Sequence, residues 1–532
     1  MITDLIAPYV PYLLLGLVAA YYIFPYLQKW RLHDIPSPGL AAFTNFWLLL
    51  KARSGGRFQA VHDAHKKYGK MVRIAPNHVS IADDSAIQTI YGHGNGFLKA
   101  YVFELVLIRF TIDCLRDFYD AFVSIRRGLF NTRDRAEHTR KRKTVSHTFS
   151  AKSIGQFEQY IHANIELFVK QWNKIADLQT DPKTGYATID ALNWFNYLAF
   201  DIIGDLAFGA PFGMLEKGKD IAEMRKSPDA PPSYVPAVEV LNRRGEVSAT
   251  LGCYSPLIPF AKYIPDRFFK DGLEAVENLA GIAVARVNER LKPEVMANNT
   301  RVDLLARLME GRDATGAKLG REELTAEALT QLIAGSDTTS NTSCAILYWV
   351  VRTPGVIPKL HQVLDEAIPR DIDVPTHAMV KDIPYLQWII WETMRIHSTS
   401  AMGLPRQVPP TTPSIEIAGH TFKAGDVVSV PSYTVHRSTD IWGPDAEQFV
   451  PERWDPVRLT SRQKASFIPF STGPRACVGR NVAEMELLVI CATVFRLFDF
   501  EIQQTGPMET REGFLRKPMG LQVGLKKRVP TA

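Results

Sequence analysis

Residues 470–479 read Phe-Ser-Thr-Gly-Pro-Arg-Ala-Cys-Val-Gly, and a long helical pattern begins directly after them at Arg480. This stretch constrains the chain most, because Gly473, Pro474 and Gly479 break regular structure on both sides of one cysteine. A lone cysteine is ordinarily a small buried apolar side chain. Here Gly473 and Gly479 allow backbone N–H groups to approach the sulfur, and the following helix start favours a thiolate. Cys477 therefore reads as a thiolate ligand, with Arg475 placed to meet a negative group. The other cysteines, Cys114, Cys253, Cys344 and Cys491, bring the number to five with no CxxC pair. An odd, widely spaced set argues against a disulfide framework or a structural zinc site, and fits a reducing compartment.

Three upstream segments carry chemistry in a fixed order. Ala334-Gly335-Ser336-Asp337-Thr338-Thr339 lies in a long helical pattern, where Gly335 weakens the helix by about 1 kcal/mol relative to alanine. Thr338 can bond back to a carbonyl there and bend the ladder. Glu392-Thr393-Met394-Arg395 puts an acid and a base on one helix face, and Phe449-Val450-Pro451-Glu452-Arg453-Trp454 follows. Taken alone, these would be a satisfied helix threonine and a surface ion pair. With the cysteine loop they resemble the oxygen-activation, ExxR and FxPERW motifs of the cytochrome P-450 family, whose haem loop FxxGxRxCxG the chain matches at Phe470, Gly473, Arg475, Cys477 and Gly479.

That resemblance implies a haem-thiolate monooxygenase holding haem b, with Cys477 as the iron's axial ligand. Ala334 and Gly335 would border the dioxygen groove, with Thr338 and Asp337 as the catalytic pair for dioxygen and proton delivery. Glu392, Arg395 and Arg453 would form a buried support for the loop. His138 and Arg142 match the ends of the family's WxxxR, with histidine in place of tryptophan, and Arg406 matches the arginine after ExxR. Together with Arg475 they are the expected haem-propionate partners. A thiolate ligand favours O–O cleavage. The chain has no flavin or nicotinamide fingerprint, so electrons are expected from a separate NADPH-cytochrome P-450 reductase.

The formal charge is only +6, yet residues 126–143 hold eight Lys/Arg against Asp134 and Glu137. Such a run is usually a solvated helix face. The family resemblance makes the run around Arg140 to Lys143 the docking face for an acidic reductase, and no nucleic-acid partner is expected. Gly92-His93-Gly94-Asn95-Gly96 resembles a phosphate loop but follows a helical pattern and lacks the GxGxxG spacing.

Leu5 to Leu27 is uncharged and precedes Lys29 and Arg31, long enough for a single-pass membrane anchor with the catalytic body on the cytosolic side. Pro8, Pro11 and Pro25 leave a monotopic segment as the rival reading. The expected order is a transmembrane anchor (1–28), a proline hinge around Ile35-Pro36-Ser37-Pro38-Gly39 (29–40), and one large domain (41–532), placed in the endoplasmic reticulum membrane. Helical patterns dominate from about Ile154 to about His397, with strand-like pieces at Met71–Ile74, Val79–Ile81, Ser414–Ile417 and Val427–Val430. The class is mainly α with a minor β part, the cytochrome P-450 fold.

Residues 118–150 and 196–209 further resemble the fungal benzoate para-hydroxylases, which implies a small aromatic acid substrate and formation of 4-hydroxybenzoate. Arg126, Arg127 and Arg516 are the candidates for its carboxylate. Residues 100–116 stand where that subfamily passes directly onward, and read as an insertion, such as a short intron translated in frame. Alternatives are a monooxygenase of another phenolic, fatty acid or terpenoid, a haem-thiolate isomerase or dehydratase, and a non-enzymatic haem sensor.

Overall fold

The computed structural model describes residues 9–99, 118–298, 301 and 303–529. Residues 100–116, expected to be an insertion, lie outside them. Helix α1 (Val10–Gln28) stands at the N-terminal end, and α2 (Arg135–Ser146), α3 (Ala191–Phe208), α4 (Ala237–Cys253), α5 (Arg267–Arg290), α6 (Arg321–Arg352), α7 (Pro384–Ile396) and α8 (Arg480–Leu497) build the body around the site. Their ends follow local chemistry. Asp134 accepts the Glu137 N–H at 2.7 Å and Asp190 accepts the Leu192 N–H at 3.0 Å, each capping the helix that follows. α3 stops at Gly209, which takes a left-handed φ of 83°. Pro384 opens α7, where its missing N–H costs nothing.

α6 is the spine. It packs against α3, α5, α7 and α8, and Leu332, Ile346 and Val350 of α6 share one core with Leu198, Ile202 and Leu206 of α3. The β part is peripheral. Strands β1 (Met71–Ala75), β2 (His78–Ile81), β3 (Leu98–Lys99), β4 (Arg406–Gln407) and β5 (Val427–Ser429) form one sheet in the order β1-β2-β5-β4-β3. Only β5 and β2 run parallel. Its register sets Lys99 opposite Arg406. A hairpin of β6 (Thr510–Glu512) and β7 (Arg516–Pro518) turns through Gly513, Phe514 and Leu515.

The acid–base motif of α7 is fully buried. Glu392 takes two bonds from Arg395, at 2.8 and 2.9 Å, one from the Trp454 indole at 3.0 Å and one from the Val450 N–H at 2.9 Å. Arg453 reaches the same carboxylate at 3.5 Å and also pairs with Asp445. Arg395 spends its remaining donors on the carbonyls of His436, Ala446 and Gln448. Every lone pair and donor is used, which makes so charged an interior tolerable.

At the N-terminus α1 covers most of the segment expected to span a membrane, while residues 1–8 lie outside the described residues. Among the described residues no helix is long and apolar enough to cross a membrane. α1 exposes Tyr12, Leu13, Leu15, Leu17 and Val18. The following segment is fastened to the body, where a stiff hinge was expected. Lys29 and Arg31 pair with buried Asp426, Leu32 and Ile35 are buried, and the Pro36 carbonyl accepts the Arg73 N–H at 2.9 Å.

Candidate active site

The loop around Cys477 is a single 3-10 turn, Gly473–Arg475, between an extended approach and the start of α8. The Cys477 N–H donates to the Phe470 carbonyl at 2.9 Å, closing the loop. Gly473 has a φ of +72°, and a Cβ there would lie 1.9 Å from the Tyr91 carbonyl oxygen, so only glycine fits. Gly479 differs. Its φ is ordinary and a Cβ would meet nothing, so its contribution is the N–H it aims at the Cys477 sulfur. Burial pushes the Cys477 thiol up, while that N–H and the charges of Arg142 and Arg480 pull it back toward thiolate. Among the four described cysteines Cys477 alone is exposed, yet it lies deep among protein atoms, as a side chain facing an internal recess does.

Beside it the fold gathers positive charge. His138 and Arg142 come from α2, Arg406 from β4 and Arg475 from the loop itself. Arg475 donates to the carbonyls of Thr132 and Arg133 at 2.7 and 2.9 Å, Arg142 to Ala476, and Arg406 to the Tyr119 hydroxyl at 2.6 Å. Burial pushes His138 down to about 3, and Arg475, Lys99, Arg142 and Arg406 drive it further in that direction. Burial likewise lowers Arg475 to about 10, with Arg406 adding repulsion. Mutually repelling cations around a neutral imidazole are what two carboxylates of a bound group would relieve. Lys99 was not legible as a member. Only the pairing of β3 with β4 brings it to Arg406, where its ammonium lies 4.4 Å from the ring centroids of Tyr119 and Phe130.

α6, which packs on α8, carries the next group of expected residues. The Thr338 hydroxyl bonds back to the Ala334 carbonyl at 2.7 Å, as its mid-helix position suggested, and Ser336 and Thr342 do the same to Leu332 and Thr338. The helix nevertheless runs unbroken from Arg321 to Arg352, because each hydroxyl shares a carbonyl without displacing the ladder. Ala334 is exposed in mid-helix. Gly335 has a packing reason that the sequence did not reveal: a Cβ there would lie 2.7 Å from Cδ1 of Ile203, so it lets α3 approach. Burial raises the Asp337 carboxyl, opposed by the charge of Lys517 and a bond from Asn341 at 3.0 Å. Thr339 turns away and donates to buried Glu486 of α8 at 2.8 Å, which burial pushes up to about 7.

The arginines expected to meet a substrate carboxylate are engaged elsewhere. Arg126 is about half exposed (54%) and lies 3.8 Å from Glu323, and Arg127 pairs with Asp120. Arg516 is buried, but bonds Thr510 and covers the rings of Phe58 and Tyr433. The basic run is also not one solvated face. Lys141 is buried between Glu323 at 2.7 Å and Glu327 at 2.8 Å, and Arg140 pairs with Glu137 and Glu323. Arg126, Arg135 and Lys143 remain exposed. The Gly92–Gly96 segment follows a short helix, Ser85–Tyr91, and its neighbour Tyr91 packs on Gly473.

The donor set fits haem. One thiol is flanked by a helix start, the cations gathered beside it suit two propionates, and α6, packed on the same helix, carries a hydroxyl and a carboxyl. Comparison with known proteins agrees. The cytochrome P-450 family model matches residues 36–525. A benzoate 4-monooxygenase (bphA) of Aspergillus niger is 78% identical over 530 residues, covering 100% of this chain and 99% of that protein. A cytochrome P-450 monooxygenase (ORF11) of Penicillium roqueforti is 30% identical over 502 residues, 92% of this chain and 94% of the relative. Another (gsfF) of Penicillium aethiopicum is 27% identical over 525 residues, 96% and 97% of the two chains. With its cysteine loop, buried acid–base support and full-length likeness to these monooxygenases, the chain belongs to the cytochrome P-450 family.

Proposed function

We propose that the protein hydroxylates benzoate at the para position. The observation that carries this is the 78% identity over the whole chain to a benzoate 4-monooxygenase. The balanced reaction takes benzoate, dioxygen, NADPH and a proton to 4-hydroxybenzoate, water and NADP+. Cys477 would hold the iron of haem b and His138, Arg142, Arg406 and Arg475 its propionates; when bound, the haem would supply the splitting of dioxygen and the insertion of one oxygen atom into the C–H bond.

The chain's own part is positioning and proton supply. Thr338 keeps its hydroxyl oriented through the bond to Ala334, and the raised Asp337 carboxyl can carry a proton inward. The Gly479 N–H favours the thiolate form of the sulfur. Electrons come from an NADPH-cytochrome P-450 reductase, for whose acidic surface exposed Arg126, Arg135 and Lys143 are complementary. The exposed apolar side chains of α1 support attachment to the endoplasmic reticulum membrane.

The test is reconstitution with reductase and NADPH on benzoate, other phenolics, a fatty acid and a terpenoid. The expected result is 4-hydroxybenzoate in step with NADPH consumed. Turnover of another compound with none of benzoate overturns the substrate, and turnover without NADPH favours an isomerase or dehydratase. Membrane attachment is checked by fractionation: recovery in the soluble fraction rejects it.

A further inference from the structure

Among the described residues, nearly every buried arginine has an acid to answer it. Arg57 pairs with Glu512, Arg290 with Asp303, Arg395 and Arg453 with Glu392, and Arg437 with Glu447. Arg73 feels Asp426, Arg496 feels Asp365, and Arg516 feels Glu512. Two remain. One is Arg406, which faces the propionate position. The other is Arg244 of α4, only 5% exposed, with no acid acting on it and its Nε without a hydrogen-bond partner. An uncompensated guanidinium is expensive to bury, and a site that keeps one has a use for it.

Its surroundings indicate the use. Arg244 donates to the Phe122 carbonyl at 2.8 Å and lies 5.5 Å from the centroid of that ring. Asn131 donates to the same carbonyl at 2.9 Å, leaving its own Oδ1 without a partner, and one turn along α4 the buried Ser248 hydroxyl is also unpartnered. Phe122 packs edge-on against Phe130 and Phe514, at 5.9 and 4.9 Å, and Phe130 against Tyr119 at 5.8 Å. Tyr119 in turn holds Arg406. A wall of aromatic rings thus runs from the haem-propionate cations to one unanswered cation on α4, with an unpartnered hydroxyl beside it.

We propose that Arg244 receives the carboxylate of the aromatic acid substrate while the ring lies against the Phe122 cluster. This rests on the reading of the protein as a benzoate hydroxylase and assigns that reading its anchor, in place of Arg126, Arg127 and Arg516. Charge-assisted bonds from guanidinium to carboxylate are strong in so dry a place, and a neutral ester of the same ring gains nothing from them.

The test is titration of the substrate-induced Soret shift with benzoate and with methyl benzoate, for the parent protein and for Arg244→Gln, Arg244→Met and Arg244→Lys. Glutamine keeps a donor for the Phe122 carbonyl without the charge. The expected result is benzoate binding weakened about 10- to 100-fold in the Gln and Met variants, methyl benzoate unchanged within about twofold, and partial recovery in Lys. If benzoate gives no shift in the parent protein, the substrate reading falls and takes the anchor with it. If the parent responds and the Gln variant binds benzoate as tightly, or loses both ligands equally while keeping its reduced-carbon-monoxide spectrum, Arg244 is not the anchor.

Discussion

The backbone N–H of Ile468 donates to Nε2 of His436 at 3.0 Å. The same histidine meets the Ser398 hydroxyl through Nδ1 at 2.7 Å, and its carbonyl accepts a bond from Arg395 at 2.7 Å. His436 thereby links the buried acid–base network of α7 to the strand of chain that leads into the cysteine loop. Because Nε2 accepts, the imidazole is neutral with its proton on Nδ1. Replacing it with phenylalanine strands the Ile468 N–H in the interior, at a cost of about 1–3 kcal/mol. The expected outcome for His436→Phe is conversion of the thiolate-ligated carbon monoxide spectrum to its inactive form at a lower temperature, with benzoate affinity little changed before conversion.

Acid should unfold the protein through such histidines. Burial pushes His436 and His78 down to about 3 and His65 to about 4, against 6.5 for an open imidazole. Below 6.5 the unfolded chain takes up protons that the folded one refuses. Their contribution is therefore complete above pH 6.5 and is lost as pH falls toward 3–4, each group by up to about 1.4 kcal/mol per pH unit. Denaturant midpoints measured from pH 8 to pH 4.5 should be level at first and fall below about pH 6.5. A midpoint rising across that interval would contradict the assignment.

Gly335→Ala sets helix propensity against packing. The methyl gains up to about 1 kcal/mol within α6 but collides with Ile203, and overpacking of that kind costs about 1–3 kcal/mol. A net loss of stability is expected. Pairing it with Ile203→Ala should return part of that loss, so a double-mutant cycle with no coupling would show that the contact is not the cause.

The basic run divides into structural and docking members. Lys141→Met leaves Glu323 and Glu327 buried without their shared cation and should cost about 3–5 kcal/mol of stability, read by denaturant unfolding. Exchanging the exposed Arg135 and Lys143 for glutamate should leave stability nearly unchanged. It should raise the KM for reductase severalfold, with the difference shrinking at high salt. Equal reductase kinetics for the two proteins would remove this face as the docking site.

What the sequence alone determined was local chemistry. Cys477 and Gly479, the Glu392–Arg395 spacing and the Thr338 back-bond each need only near neighbours, and composition with periodicity gave a helical frame and a minor sheet. What only the tertiary structure decided was which charges meet. Lys99 joins Arg406 because two short strands pair across most of the chain, and Lys141 leaves the solvent because α6 brings two glutamates to it. Arg244 stands out only because, among the described residues, the fold brings it no acid. Burial and pairing belong to long-range contacts, and a charge on a line of sequence does not show whether it will meet water, a partner or a substrate.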